Sequence, residues 1–280
     1  MNPYLIVGIQ RSGTTLLHKL LMQHPRVSVL TDELRAFPFF NIGIGMLTYG
    51  NETPNERLHS RSAMLRALAS INRDQFTTHY GVKTCTTTIP RNAAIITSTI
   101  MQELSDHKIV IIDRSDLVAQ LGSMISAQKS GIAHSWVKGA DGREIQRITI
   151  NPLKFIFYSL NCIEIKKILS RIKETNQVIY VNFESFTEDI FAGLRLIFEF
   201  LALENSQVSI NSKKVMPKPE DYIVNYYQLK KIEQWIKNEF NSDKGIKALS
   251  FCNNLYNAFR FKKQAVKRSL GMMLHDLNVR

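Results

Sequence analysis

Tyr4-Leu5-Ile6-Val7-Gly8-Ile9-Gln10-Arg11-Ser12-Gly13-Thr14-Thr15-Leu16-Leu17 decides the fold of this 280-residue chain. Its first four residues are apolar and read as a short buried strand. Gly8, Gly13 and the two threonines then follow the spacing of a phosphate-cradling loop, G-x-x-x-x-G-K-[ST]. Thr14 stands where that pattern has its lysine, and Arg11, two residues before the second glycine, supplies a cation instead. Leu16, Leu17, Leu20 and Leu21 mark the buried stripe of a helix. A strand that turns directly into a helix N-terminus aims backbone N–H groups at one spot, where the helix dipole adds about half a positive charge. The chain therefore keeps a cradle for an anion and lacks the lysine of an ATP or GTP hydrolase.

Outward from this stretch, strands and helices alternate for some two hundred residues, the pattern of a parallel sheet covered by helices. His24-Pro25 ends the first helix, because proline disfavours helix in the residue before it. A short strand is expected over 27–30, a long glycine- and aromatic-rich loop over 38–56 and a helix over 58–71. Tyr80-Gly81-Val82-Lys83 reads as a strand leading to a helix that opens at Pro90, where a missing N–H costs nothing. Lys108-Ile109-Val110-Ile111-Ile112 is the strongest strand, followed by a helix over 115–131 and a polar loop over 134–147. Leu153, Phe157, Leu160, Ile165, Ile168 and Ile172 line a long helix. A last strand over 178–181 precedes a helix from Thr187 that turns Ile190, Leu194, Ile197 and Leu201 inward. A further helix is expected over 228–240, so the chain reads as a single domain over 1–280 with a basic helical C-terminal extension from about 228.

The net charge of +12 favours anionic partners such as nucleic acid, acidic lipid or a polyanionic small molecule. Positive charge thickens at Arg260, Lys262, Lys263, Lys267 and Arg268 among apolar residues, a pattern that suits peripheral membrane contact. No apolar run reaches the roughly 18 residues of a membrane-spanning helix. Cys85, Cys162 and Cys252 lie far apart, without metal-ligand spacing or a disulfide framework. With the first ten residues serving as strand and loop rather than as a secretory signal, the expected location is cytoplasmic.

Gln10-Arg11-Ser12-Gly13-Thr14-Thr15-Leu16-Leu17, with His24-Pro25 one helix later, resembles the 5′-phosphosulfate loop of sulfotransferases. These enzymes use 3′-phosphoadenosine 5′-phosphosulfate (PAPS), and the match extends to tyrosylprotein sulfotransferases in this N-terminal motif. The resemblance implies a P-loop nucleotide-hydrolase-like three-layer α/β fold, with a central parallel sheet flanked by helices. It implies that Arg11, Ser12, Gly13, Thr14 and Thr15 hold the 5′ end of the donor. Asp113-Arg114-Ser115-Asp116 after the strongest strand, with Ser123 in the next helix, resembles the family's 3′-phosphate element and implies Arg114 and Ser123 as its contacts. The arginine-to-serine spacing is one longer than in animal cytosolic members and is similar to that of bacterial carbohydrate sulfotransferases. Gly81-Val82-Lys83 resembles the family's central strand, and Tyr180-Val181-Asn182-Phe183-Glu184-Ser185-Phe186 its strand-ending segment. Lys218-Pro219 with Asn225-Tyr226 resembles a segment of bacterial members, so the likeness spans residues 4 to about 227. The Arg-Lys-Gly turn of animal cytosolic enzymes is absent, leaving Lys213, Lys214 and Lys218 as stand-ins.

Sulfuryl transfer needs charge stabilisation at the leaving oxygen and a base for the acceptor's proton. Arg11 is the expected catalytic cation. Some sulfotransferases carry a catalytic glutamate just after the second strand, and by that resemblance Glu33 is the expected base, Asp32 the second choice and Arg35 a substrate contact. His107 is an alternative base; His18, opposite the leucine stripe, is expected to be exposed. No metal is expected, because arginines and backbone donors neutralise the anion. The function so implied is transfer from PAPS to a hydroxyl or amine of a carbohydrate, glycolipid or small molecule, leaving the desulfated product PAP. Two alternatives are a nucleotide-dependent kinase or hydrolase with a degenerate phosphate loop, against which Thr14 counts, and a non-catalytic basic anion-binding protein. No nucleic-acid partner is expected. Specificity for the acceptor falls to the 38–56 loop and the 134–147 loop with its Trp136.

Overall fold

The structure is a computed structural model that describes residues 2–29, 78–130, 146–209 and 218–240. The opening stretch folds as read: strand β1 (Asn2–Ile9) passes through a four-residue turn into helix α1 (Thr14–Leu21). Strands β2 (Val27–Val29) and β3 (His79–Thr86) follow, then helix α2 (Pro90–Glu103), strand β4 (Lys108–Asp113) and helix α3 (Leu117–Ser130). Helix α4 (Pro152–Ser170) runs into a 3₁₀ turn (Arg171–Glu174) and strand β5 (Val178–Asn182). The short helix α5 (Phe183–Glu188), helix α6 (Ile190–Leu201), the turn-length α7 (Pro219–Tyr222) and α8 (Tyr226–Glu239) complete the described residues.

Local chemistry sets these boundaries. Asn151 accepts from the Lys154 N–H and Pro152 opens α4, a polar cap followed by a residue whose missing N–H is no loss. Asn182 and Asp189 cap α5 and α6 in the same way. The helix expected from Thr187 is therefore two helices, because Asp189, with φ −137° and ψ 88°, leaves the helical backbone to cap the second.

The five strands form one parallel sheet in the order β2-β3-β1-β4-β5. This is the three-layer α/β architecture expected from the sequence, with β1 at its centre. Side chains alternate between faces along each strand. Tyr4, Ile6, Val110 and Ile112 share one face with Leu17, Leu20 and Leu21 of α1 and Leu194, Ile197, Phe198 and Leu201 of α6. Leu5, Val7, Ile109 and Ile111 are buried on the other face, where Leu169 of α4 meets Ile9 and Ile111 around a small cavity. Helix α2 packs against α4 and the 3₁₀ turn.

The chain divides into a compact unit Met1–Lys230 and a second unit Lys231–Arg280. Within the second, Lys237 pairs with Glu233 one helical turn away at 3.1 Å, and Trp235 meets Phe240 edge to face. No helix among the described residues is long and apolar enough to cross a membrane.

Two expectations about histidines are corrected. His18 is buried, not exposed: it lies one helical turn beyond Thr14, and α1 is covered over Thr14, Leu17, His18, Leu20 and Leu21 rather than along a leucine stripe alone. His107 lies at the N-terminal end of β4, hydrogen-bonded to Asp106 at 2.7 Å. A six-residue strand, roughly 20 Å at 3.3 Å per residue, separates it from Arg114. Chain direction alone removes His107 as the base.

The centre of the sheet shows how tightly sequence and packing are matched. Tyr4 pairs with Gly81 across β1 and β3, and its ring lies where a side chain at 81 would stand, Cζ being 2.2 Å from the position of an added Cβ. The Tyr4 hydroxyl is buried without a hydrogen-bond partner among the described residues, and burial pushes its pKa up. Gly81→Ala is expected to lower stability by about 1–3 kcal/mol through overpacking against a ring that has nowhere to move. Tyr4→Phe, which removes only the unsatisfied hydroxyl, is expected to raise stability by about 1 kcal/mol. Urea midpoints of the two variants read both effects.

Candidate active site

Parallel pairing brings the strand ends level. Gly8 of β1 pairs with Cys85 of β3 and with Ile112 of β4. The turn after β1, the end of β3 and the turn after β4 therefore meet at one edge of the sheet. In the first turn, Gln10 donates its N–H to Thr86 O at 3.0 Å, and Gln120 of α3 donates to Gln10 O at 2.9 Å. Arg11 and Gly13 both take left-handed backbone, with φ of 67° and 96°. Glycine does so without strain. A side chain at 13 would also strike the Phe183 ring, 2.2 Å away. An added Cβ at Gly8 would lie 2.4 Å from Ser12 Oγ and 2.8 Å from Ile112 O. Both glycines of the opening motif are required by space.

Gly13 is the N-cap residue of α1 and offers no side-chain cap, and the first turn of α1 has no acidic residue. Within α1 itself no side chain claims the N–H groups of that turn or the positive end of the dipole, the features by which a helix N-terminus can hold an anion. Ser12 is buried, its Oγ in no hydrogen bond among the described residues. Thr14 Oγ1 and Cys85 Sγ lie 2.9 Å apart, and burial pushes the Cys85 thiol up. Thr15 Oγ1 accepts from Lys83 Nζ.

Cations converge on the same place. Ser123 Oγ accepts from Arg11 Nε at 3.0 Å and Arg11 Nη2 at 2.9 Å. Arg114 Nη1 donates to Arg11 O at 3.2 Å. Burial, and then the neighbouring Arg114, lower the Arg11 pKa. Burial lowers Lys83 to about 8, with Lys19 and Arg11 adding to the shift against an opposing pull from Cys85. Charged groups buried side by side are costly, and an anion between them reverses the sign of that cost. The structure therefore brings together Arg11, Ser12, Gly13, Thr14, Thr15, Arg114 and Ser123. Glu33, Asp32 and Arg35, like the 38–56 loop, Trp136, Lys213, Lys214 and the basic C-terminus, lie outside the described residues.

Lys83 was quoted in the sequence only as part of a strand. Its register decides its place: it pairs with Ile6, whose face of the sheet carries α1. The signal is a lysine in the middle of an eight-residue strand. Tyr222, pushed up to about 12 by burial, lies near Arg114, Asp116 and Arg11 and packs its hydroxyl against Gly122. No motif pointed to it.

The start of α3 differs from the expected anion site. Glu184 Oε2 accepts from the Ser115 N–H at 2.9 Å and the Ser115 hydroxyl at 2.8 Å, and Oε1 from the Asp116 N–H at 3.2 Å. Those backbone donors are already taken, so on this side of the site it is the Arg114 side chain that remains for an anion.

A model of the sulfotransferase family matches residues 3–207. The chain belongs to the sulfotransferase family. Solved structures similar to this sulfotransferase include one from Alicyclobacillus acidocaldarius, at 16% identity and a TM-score of 0.47 over 84% of this chain and 96% of that one. Sulfotransferase STF9 from Mycobacterium avium is similar at 12% identity and a TM-score of 0.42, over 86% of this chain and 77% of that one. The sulfotransferase domain of the Synechococcus PCC 7002 olefin synthase gives 12% and 0.44, over 82% and 94%. No curated protein matches the sequence. Family membership rests on the match over 3–207 and displaces both the kinase or hydrolase reading and the non-catalytic one.

Lys83 gives the site of this sulfotransferase a pH signature. Inorganic sulfate is expected to raise the melting temperature at pH 7, and the increment to shrink as pH rises above about 8 and Lys83 loses its proton. Lys83→Met should show a smaller increment that is flat with pH. Without sulfate the sign is opposite. The folded pKa lies below the ordinary 10.5, so between about 8 and 10.5 the unfolded chain holds the extra proton and the Lys83 contribution stabilises with rising pH. Thermal melts from pH 7 to 10, with and without sulfate, check both signs.

Proposed function

We propose that this sulfotransferase moves a sulfuryl group from PAPS to a hydroxyl or amine of a carbohydrate, glycolipid or small-molecule acceptor. The observation that carries the reading is the convergence of Arg11, Lys83 and Arg114 on the uncapped start of α1. That set fits a ligand with two separate anionic groups. Gln10 to Thr15 and Lys83 would hold the phosphosulfate, and Arg114 and Ser123 the 3′-phosphate. A hydroxyl accepts and donates at once, so Ser123 can receive Arg11 and still donate to a phosphate oxygen. When bound, PAPS supplies an activated sulfuryl group whose leaving phosphate gains negative charge as the S–O bond breaks.

The chain's own residues account for the remaining chemistry. Arg11 and Lys83 place positive charge where the leaving oxygen becomes anionic, an electrostatic contribution that costs no reorganisation at the moment of transfer. The glycine turn fixes the backbone donors in place, which serves alignment for an in-line displacement. Glu33 takes the acceptor proton, with Asp32 as second choice, and Arg35 contacts the acceptor. Support for this placement comes from strand direction: β2 is parallel to β3, so the chain leaves Val29 heading toward the edge of the sheet that carries Arg11. Peripheral membrane contact through the basic C-terminus would suit a glycolipid acceptor.

PAP is expected to raise the melting temperature, whereas ATP with magnesium is not; the reverse pattern would remove the PAPS reading. Arg11→Ala should weaken PAP binding by tenfold or more, as befits a charge-assisted contact of about 1.5–3 kcal/mol. Glu33→Gln should keep PAP affinity and lose roughly 10²- to 10⁴-fold in transfer. Radiolabelled PAPS offered with a panel of sugars, glycolipids and phenols measures transfer and identifies the acceptor; unchanged turnover in Glu33→Gln would eliminate it as the base.

A further inference from the structure

We propose that Phe183 and Glu184, at the turn from β5 into α5, are positioning residues that set the geometry of Arg114 and thereby the preference for a ligand bearing a 3′-phosphate. The inference rests on the reading of Arg114 as the 3′-phosphate contact.

The turn reaches both walls of the site. The Arg114 guanidinium lies over the Phe183 ring at 4.9 Å from its centroid, within the range of a cation–π contact. The same ring packs where a side chain at Gly13 would stand, so one aromatic face supports the arginine while its edge abuts the phosphate loop. Glu184 closes the other side. Its carboxylate receives three hydrogen bonds from Ser115 and Asp116 and lies 3.5 Å from Arg114 Nε. Arg114 Nε itself completes no hydrogen bond among the described residues, so this is an ion contact that orients the guanidinium without consuming its Nη donors. Nη1 is then directed to Arg11 O.

Glu184 also decides where an anion cannot sit. It fills the N–H groups of Ser115 and Asp116, the two residues before α3, while Asp116 Oδ1 accepts from the Ala119 N–H, so these donors beside Arg114 are closed to an anion. The carboxylate is stable in that role. Burial alone would push the Glu184 pKa up, but the hydrogen bonds from Ser115 and Asp116 outweigh it and hold the carboxyl below its ordinary range. It therefore stays ionised through neutral pH.

PAP and AMP differ only by the 3′-phosphate, and their affinities for the full chain, measured by calorimetry, test the proposal. Wild type is expected to prefer PAP by tenfold or more. Glu184→Gln is expected to cut that preference at least fivefold while leaving AMP affinity within twofold, a selectivity that general destabilisation does not produce. In an Arg114→Ala background the same substitution should have no further effect on PAP, because Glu184 acts through Arg114. If the glutamine variant does not fold, Glu184→Asp, which keeps the charge with a shorter reach, is read in the same assay and should lose part of the preference. A wild type that binds PAP and AMP equally overturns the 3′-phosphate reading of Arg114 itself. A wild type with the preference and a Glu184 variant that retains it overturn the positioning role alone. Equal losses of PAP and AMP also overturn it.

Discussion

The in-register parallel pairing of β1 with β3 and β4 is the constraint on which the site depends. Backbone hydrogen bonds fix Gly8 beside Cys85 and Ile112, and side chains at paired positions then share a face. A slip of one residue would turn Lys83 and Cys85 away from α1 and set Thr84 in their place. The register thus brings Lys83 beside Arg11 at the glycine turn. Because both flanking strands end level with β1, the Arg114 turn arrives beside Arg11 without any long connecting loop.

Burial of so much positive charge needs a scaffold that resists repulsion between like charges. Ser123 fastens the Arg11 side chain, Arg114 fastens the Arg11 carbonyl, and Lys166 fastens the Arg114 carbonyl at 3.1 Å while paired with Asp113 at 2.9 Å. These contacts anchor the cations through main-chain oxygens and hydroxyls. Among the described residues Glu184 lies against Arg114 and Asp113 against Lys166, and Glu184 is also held by Ser115 and Asp116. Burial and the neighbouring cations lower the pKa values of Arg11 and Lys83.

Much of the fold was legible because its signals are local. Consecutive apolar residues marked β1 and β4, Pro90 marked a helix start, and Gly8 and Gly13 marked the turn. The Arg11 and Arg114 positions were legible for the same reason, each being tied to a strand end. The errors were long-range. His18 looked exposed on a helical wheel because a wheel shows one apolar stripe and cannot show how wide a face the fold covers. His107 looked available because nothing in its neighbours says that it sits at the opposite edge of the sheet from Arg114. Glu184 read only as part of a strand-ending segment, since its partners, Ser115 and Asp116, lie almost seventy positions away.

By itself the sequence determined the order of the strands, the glycine turn and membership in a family whose motifs are short and contiguous. Spacing within a turn or along a helix is set by local covalent geometry, so it can be read from neighbours alone. Only the tertiary structure decided that Lys83 joins the glycine turn, that Glu184 takes the N–H groups of Ser115 and Asp116, and that Phe183 packs against both Gly13 and Arg114. Those facts follow from strand register and packing between distant segments, and no local pattern encodes them.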